Sequence, residues 1–167
     1  NGNVQLKNML EIGYPKKELI KVEALRYNYL LDEKNKMNQN KTNKKVTILI
    51  IGEYDNKLNQ KFLNILEKSF RGLNFFIKIY FKPHPTSVRF ELKTNFNLNI
   101  VKSNLKTILK KTDLVLCGGN SSASLDVIYF GLPLAVLIDD ISLNISPLNN
   151  VAEQYFVKNE KELKSYI

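Results

Sequence analysis

DLVLCGGNSSASLDVIYFGLP, residues Asp113 to Pro133, is the stretch on which the reading of the fold turns. The run Asp113 to Cys117 is apolar on both faces after its first residue, two glycines follow, and Asn120-Ser121-Ser122 lead into a segment with helical periodicity that stops at Gly131-Leu132-Pro133. A strand with no polar face is what a parallel sheet covered by helices on both sides requires. Strand, glycine turn and helix in that order make half of a βαβ unit.

The same texture extends outward in both directions. Short apolar runs at Val46 to Ile51, Leu73 to Phe81 and Leu134 to Ile138 alternate with helical stretches at Lys57 to Phe70, Ser103 to Lys111 and Ser121 to Phe130. This alternation predicts an α/β fold, a Rossmann-like doubly wound parallel sheet. Arg89 to Val101 reads as irregular or as an extra strand, and YFVKNEKELKSYI (Tyr155 to Ile167) as a short extended piece and a terminal helix capped near Asn159. No internal repeat is evident.

The N-terminal part differs. Leu19, Val22, Leu25 and Tyr29 recur at helical spacing after Pro15, which suits a first helical turn, and predict a helix from Pro15 to Asp32. EKNKMNQNKTNKK, Glu33 to Lys45, has almost nothing to bury and reads as a solvated linker. Residues 1–45 are therefore expected to be a helix and polar linker, and 46–167 the Rossmann-like domain.

With 167 residues, 44% of them hydrophobic, the chain has material for one real core, which argues against disorder. The formal charge of +9 favours anionic partners such as nucleotides, anionic lipid or nucleic acid, without choosing among them. The lone cysteine, Cys117, rules out an internal disulfide, and with the lone histidine, His84, gives no zinc cluster. A reducing, cytoplasmic setting fits. No run approaches the roughly 18 to 20 apolar residues of a membrane span, and no signal-peptide pattern appears. The chain opens Asn1-Gly2-Asn3 without Met, which reads as a piece of a longer protein.

Ligands of an open parallel sheet bind at the carboxyl ends of its strands. Three such edges carry chemistry: Gly52-Glu53, Lys82 to Ser87, and Gly118 to Ser122. At the third, Gly118 and Gly119 allow close backbone approach, and Asn120, Ser121 and Ser122 fit either of two roles, a plain helix cap or a phosphate seat with the helix N-terminus behind it. Asp126, one turn beyond Ser122, shares its face and reads either as a solvated carboxylate or as an acceptor for ribose hydroxyls, with Leu125, Ile128 and Tyr129 on the core face.

At the second edge His84 stands between Pro83 and Pro85, which restrict the main chain around it. Two roles fit here also: a histidine packed at a sheet edge, or one aimed at an anion, with Lys82 adding positive field. Glu53 faces the ligand or merely ends its strand. Asp139-Asp140, two adjacent carboxylates without supporting ligands, imply no metal and read as loop or cap residues.

Taken as a pair, KPHP (Lys82 to Pro85) and GGNSSASLDVIYFGLP (Gly118 to Pro133) resemble the nucleotide-binding C-terminal half of GT-B glycosyltransferases, nearest the bacterial surface-polysaccharide sialyltransferases and polysialyltransferases. The resemblance runs from about Val46 to the end of the chain. It implies that His84, Ser121 and Ser122 contact the phosphate of a CMP- or UDP-linked sugar, with His84 stabilising the leaving phosphate, and that Asp126 stands at the ribose-gripping position, where glutamate is commoner. It further implies a sugar nucleotide as substrate with no cofactor or metal, a glycan or lipid-linked acceptor, an N-terminal domain that supplies the general base, and peripheral contact with an anionic inner membrane surface. A fragment of this kind would bind nucleotide weakly and turn nothing over. UDP-sugar 2-epimerases and polyol-phosphate polymerases share such motifs and remain alternatives. A basic nucleic-acid module predicts lysines interleaved with exposed aromatics, whereas the aromatics here fall largely in apolar runs, so nucleic acid is not expected as a partner.

Overall fold

The computed structural model describes residues 3–22, 46–71, 77–87, 91–138, 144–149 and 152–166. The chain divides into two compact units, Asn1–Lys36 and Met37–Ile167. The expected linker, residues 33–45, lies outside the described residues, as do Asp139 and Asp140.

In the first unit a helix α1 runs over Asn3–Glu11. It ends at Gly13, whose φ of 86° is a left-handed conformation natural to glycine, with the Gly13 and Tyr14 amides donating back to the carbonyls of Leu10 and Met9. The helix expected from Pro15 is corrected: a single 3₁₀ turn spans Lys16–Glu18, Leu19 is extended, and residues through Val22 are not helical. Ile20 and Val22 are exposed, so this segment does not bury the apolar face that would support a helix. Residues 23–32 lie outside the described set.

The second unit is a six-stranded, all-parallel sheet in the order β3-β2-β1-β4-β5-β6. Its strands are β1 (Val46–Ile51), β2 (Ile77–Lys82), β3 (Leu98–Ile100), β4 (Leu114–Gly118), β5 (Leu134–Leu137) and β6 (Phe156–Val157). The helices are α2 (Asn56–Phe70), α3 (Leu105–Leu109), α4 (Ala123–Tyr129) and α5 (Glu160–Tyr166). The doubly wound α/β fold read from the sequence is thus present. The extra strand left open within Arg89 to Val101 exists as the short edge strand β3.

Alternation within the strands divides the core in two. Ile48 and Ile50 of β1, Ile79 and Phe81 of β2, Leu114 and Leu116 of β4, and Ala135 and Leu137 of β5 form one cluster with Phe62, Leu63 and Leu66 of α2 and Leu163 of α5. Leu49, Val115, Cys117, Leu134 and Val136 point to the other face and are equally buried, which is why these strands carry no polar alternation. Each fully buried leucine or isoleucine contributes about 1.5 to 3 kcal/mol of transfer free energy.

Polar side chains fix the element ends. Asp55 caps α2 by accepting from the Lys57 amide, Asn104 caps α3 through the Lys106 amide, and Asn159 caps α5 through the amides of Lys161 and Glu162. Helix α4 ends with Gly131 at φ 67°, its amide donating to Ile128 O and that of Leu132 to Val127 O, a Schellman stop that hands the chain to β5. The Gly131-Leu132-Pro133 signal is therefore a helix terminator. Asp113 ties β4 to β1 below: its carboxylate accepts from the Thr47 amide at 2.9 Å while its own amide donates to Thr47 O at 2.8 Å.

Candidate functional site

Strand order decides which sequence signals meet. From β1 the chain winds one way through β2 and β3, then crosses to β4 on the other side of β1, so the direction of winding reverses between β1 and β4. The carboxyl edge at such a reversal opens into the crevice where α/β proteins take ligands. The three signals quoted from the sequence all lie on that edge: Gly52 and Glu53 after β1, Lys82 to Ser87 after β2, and Gly118 to Ser122 at and after β4.

β1 separates the other two. The turns after β2 and β4 are therefore two strand spacings, roughly 10 Å, apart across the edge. A phosphate group with a hydrogen bond on either side spans a gap of this size. Glu53 occupies the middle.

The turn after β2 holds its histidine by more than prolines. Ser87 N–H donates to His84 O at 2.9 Å, closing a four-residue turn with Pro85 at the position proline favours. Nδ1 of His84 sits 2.8 Å from Thr86 Oγ1 and accepts from the Thr86 amide at 3.3 Å. An acceptor role for Nδ1 puts the proton of the neutral ring on Nε2, which leaves a donor directed away from the turn. The Tyr54 ring meets His84 edge-on, with centroids 6.1 Å apart and planes at 88°. Thr86 and Tyr54 were not singled out from the sequence. Thr86 lay within the quoted stretch; Tyr54 could be found only once β1 and β2 were known to be neighbours. Ser87 Oγ is buried without a hydrogen-bond partner. Lys82 is tethered, its Nζ donating to Ser103 O at 2.7 Å, so its charge stands at the edge in a fixed place.

At the other turn, Gly118 is buried, Gly119 and Ser121 to Ser122 are half-buried, and Asn120 is exposed. The Gly119 amide donates to Leu137 O and the Ser121 amide to Gly118 O, which bends the chain sharply out of β4. Of the two roles open to Asn120, Ser121 and Ser122, a side-chain cap by Ser122 is not made: Ser122 is the N-cap residue of α4 but lies in helical φ/ψ and makes no capping hydrogen bond, while Ser124 Oγ donates to Ser121 O. A cap needs extended geometry to turn its hydroxyl onto the following amides, and Ser122 lacks it.

The core face of α4 is also corrected. Ser124, Asp126, Val127 and Phe130 are buried, whereas Leu125, Ile128 and Tyr129 are half-buried. Asp126, with 4% of its surface exposed, lies inside α4's packed face and not on an open rim.

Glu53 forms the centre of the edge. Its amide donates to Asn59 Oδ1 at 2.7 Å and its carbonyl accepts from Asn59 Nδ2 at 2.9 Å, so α2 pins its main chain through an asparagine that is itself buried. The side chain lies over Gly118. A Cβ at Gly118 would collide with Glu53 Oε1, and would stand 2.8 Å from Glu53 Cδ and 2.8 Å from Phe62 Cζ. Gly118 is therefore required by close approach. Burial pushes the Glu53 carboxyl above its ordinary value, and the Gly118 amide pulls it part of the way back. Burial, with the Glu53 charge second, also drives the Cys117 thiol far up, so it stays neutral.

Among the described residues no group of three or more His, Cys, Asp or Glu comes together that could hold a metal ion. None of their helices is long and apolar enough to cross a membrane. The chain matches no family model, no curated protein and no solved structure.

Proposed function

We propose that residues 46–167 are the donor-binding domain of a GT-B-type glycosyltransferase that moves a sugar from a CMP- or UDP-linked donor to a surface glycan or a lipid-linked acceptor. One observation carries the reading: the strand order brings Lys82 to Ser87 and Gly118 to Ser122 to one carboxyl edge, on either side of the winding reversal. The family resemblance of those two motifs supplies the reaction.

Cleaving a sugar from its nucleotide breaks the bond between the anomeric carbon and a phosphate oxygen. Negative charge grows on the phosphate and positive charge on the sugar. Donors fixed beside the phosphate stabilise that state more than the ground state. In this reading His84 Nε2–H supplies such a donor, held in place through Nδ1 by Thr86. The Ser121 and Ser122 hydroxyls meet the phosphate from the other side, and Lys82 adds field. Asp126 is buried in the packed face of α4, which gives no support to its gripping a ribose. The base that takes the proton of the acceptor hydroxyl comes from a second domain, and the membrane surface and the acceptor are met through that assembly.

Isothermal titration of the chain with CMP, CDP, UDP and GDP, repeated with His84→Ala, tests the proposal. One nucleotide should bind, and the variant should bind at least tenfold more weakly, the loss of a charge-assisted hydrogen bond of about 1.5 to 3 kcal/mol. Equal affinity for the variant removes the histidine from the site, and no binding of any nucleotide removes the donor-binding reading.

A further inference from the structure

Glu53 is placed as though for a partner the chain does not provide. Its main chain is locked by two hydrogen bonds to Asn59, yet Oε1 is buried and accepts or donates no hydrogen bond. Leaving a buried carboxylate oxygen unpaired is among the costlier things a fold can do, whereas a neutral carboxyl leaves only one O–H wanting an acceptor. Three groups nearby favour a charge on Glu53, the Gly118 amide of β4 and, on the neighbouring end of β2, Lys82 and His84, and against them stands its burial. β4 presents Gly118 and the neutral Cys117 thiol, α2 presents Phe62 and Asn59, and the following residues Tyr54 and Asp55 bring no positive group. A residue kept only for packing at this point has no use for an acidic proton.

We propose that Glu53 works in its neutral form, as the hydrogen-bond donor to an anionic phosphoryl oxygen seated at the winding reversal between β1 and β4, so that ligand binding takes up one proton at this carboxyl. The inference rests on the donor-binding reading above and specifies the middle of the same site. A fully ionised phosphodiester or pyrophosphate diester offers acceptors only, so it would repel the carboxylate and pair with the acid. Oε1 has no hydrogen bond to lose when the side chain turns from Gly118 toward such a ligand, and only the hold of the Gly118 amide on the carboxyl is given up. The proton comes from solvent and stays on Glu53 while the ligand is bound; no bond other than the O–H is made. Glu53 becomes a substrate-binding group that sets the pH at which the donor is accepted, flanked by His84 on one side and the serines on the other.

The test is calorimetry on the full chain and on Glu53→Gln, which keeps a donor without a titrating proton. The probes are UDP-glucose, GDP-mannose and CMP-sialic acid, whose phosphates stay fully ionised between pH about 6 and about 8.5. For whichever probe binds, the wild-type chain should lose affinity as pH rises, by up to about tenfold per pH unit above the carboxyl's own value. Its binding heat should vary with buffer, showing uptake of up to one proton. Glu53→Gln should bind with a shallower profile and a smaller buffer dependence than the wild-type chain. Identical pH slopes and identical proton uptake in the two chains overturn the role of Glu53 and leave the donor-binding reading standing. Absence of binding for every probe at every pH overturns both. If Glu53→Gln fails to fold, His84→Ala decides: proton uptake by that variant at the highest pH supports Glu53, and its loss there overturns the role.

Discussion

Gly118→Ala places one methyl group at the point where β1, β4 and α2 meet. The added Cβ would lie 2.8 Å from Phe62 Cζ and 2.8 Å from Glu53 Cδ, and would collide with Glu53 Oε1. Phe62 is 5% exposed and belongs to the core cluster, so its ring cannot retreat without opening a gap against Leu66 and Leu116. The glutamate is the end of a flexible chain and can retreat, but only outward from the crevice. Overpacking a tight core site costs about 1 to 3 kcal/mol, and two simultaneous contacts put this variant near 3. In urea, with a slope of about 2 kcal/mol per molar for a domain of this size, the midpoint should fall by roughly 1 to 1.5 M. The double variant Gly118→Ala, Glu53→Ala should recover part of the loss relative to the sum of the singles, because one of the two obstacles is gone while Phe62 remains. A Gly118→Ala midpoint within error of wild type would refute the packing of Glu53 over Gly118, and additive singles would show that the glutamate is not the obstacle.

Three further outcomes follow from particular contacts. Asn59→Ala removes both hydrogen bonds that pin Glu53 and leaves two main-chain groups buried, so chemical denaturation should show a loss of about 2 to 4 kcal/mol. Asn159→Ala removes the cap of α5 and should cost about 1 kcal/mol, with Asn159→Asp close to wild type. Because the folded Glu53 value is raised above 4.5, its contribution to stability is greatest below that pH and is lost as pH rises through the folded value; the stability of wild type minus that of Glu53→Gln, measured by urea titration, should fall across that window and level off above it. A difference that rises with pH would mean that the buried carboxyl is held as the anion.

The central sheet was legible because its strands must be apolar on both faces, and VTILII, LVLC and LAVL leave no other reading at their length. The two turn motifs were legible for the same reason, since each begins where such a run stops. Other features depended on contacts that spacing does not reveal. Helix α1 has little apolar periodicity to announce it, while Leu19, Val22, Leu25 and Tyr29 suggest a helix where the chain makes one 3₁₀ turn over Lys16–Glu18 and is extended at Leu19. On α4 the hydropathy of Leu125, Ile128 and Tyr129 pointed to the wrong face, because Ser124 and Asp126 turn inward against it. Glu53 showed only its place at a strand end. Its meeting with Gly118 follows from β1 and β4 being neighbours, which is a property of the crossover and not of either segment.

That crossover also explains how the edge is organised. Parallel neighbours end level with one another, so Lys82 beside Ile51 and Leu116 beside Ile50 fix the heights of the three turns before any side chain is considered. The outer two turns then present groups already held in place: Nδ1 of His84 by Thr86 of its own turn, the Lys82 ammonium by Ser103 O beyond β3, and the Gly119 amide by Leu137 O of β5. The middle turn is held just as firmly in its main chain and left unsatisfied at its tip. Under the proposed function, the held groups on the flanks would set where an anion rests, and the acid between them would add to the attraction only in its protonated form.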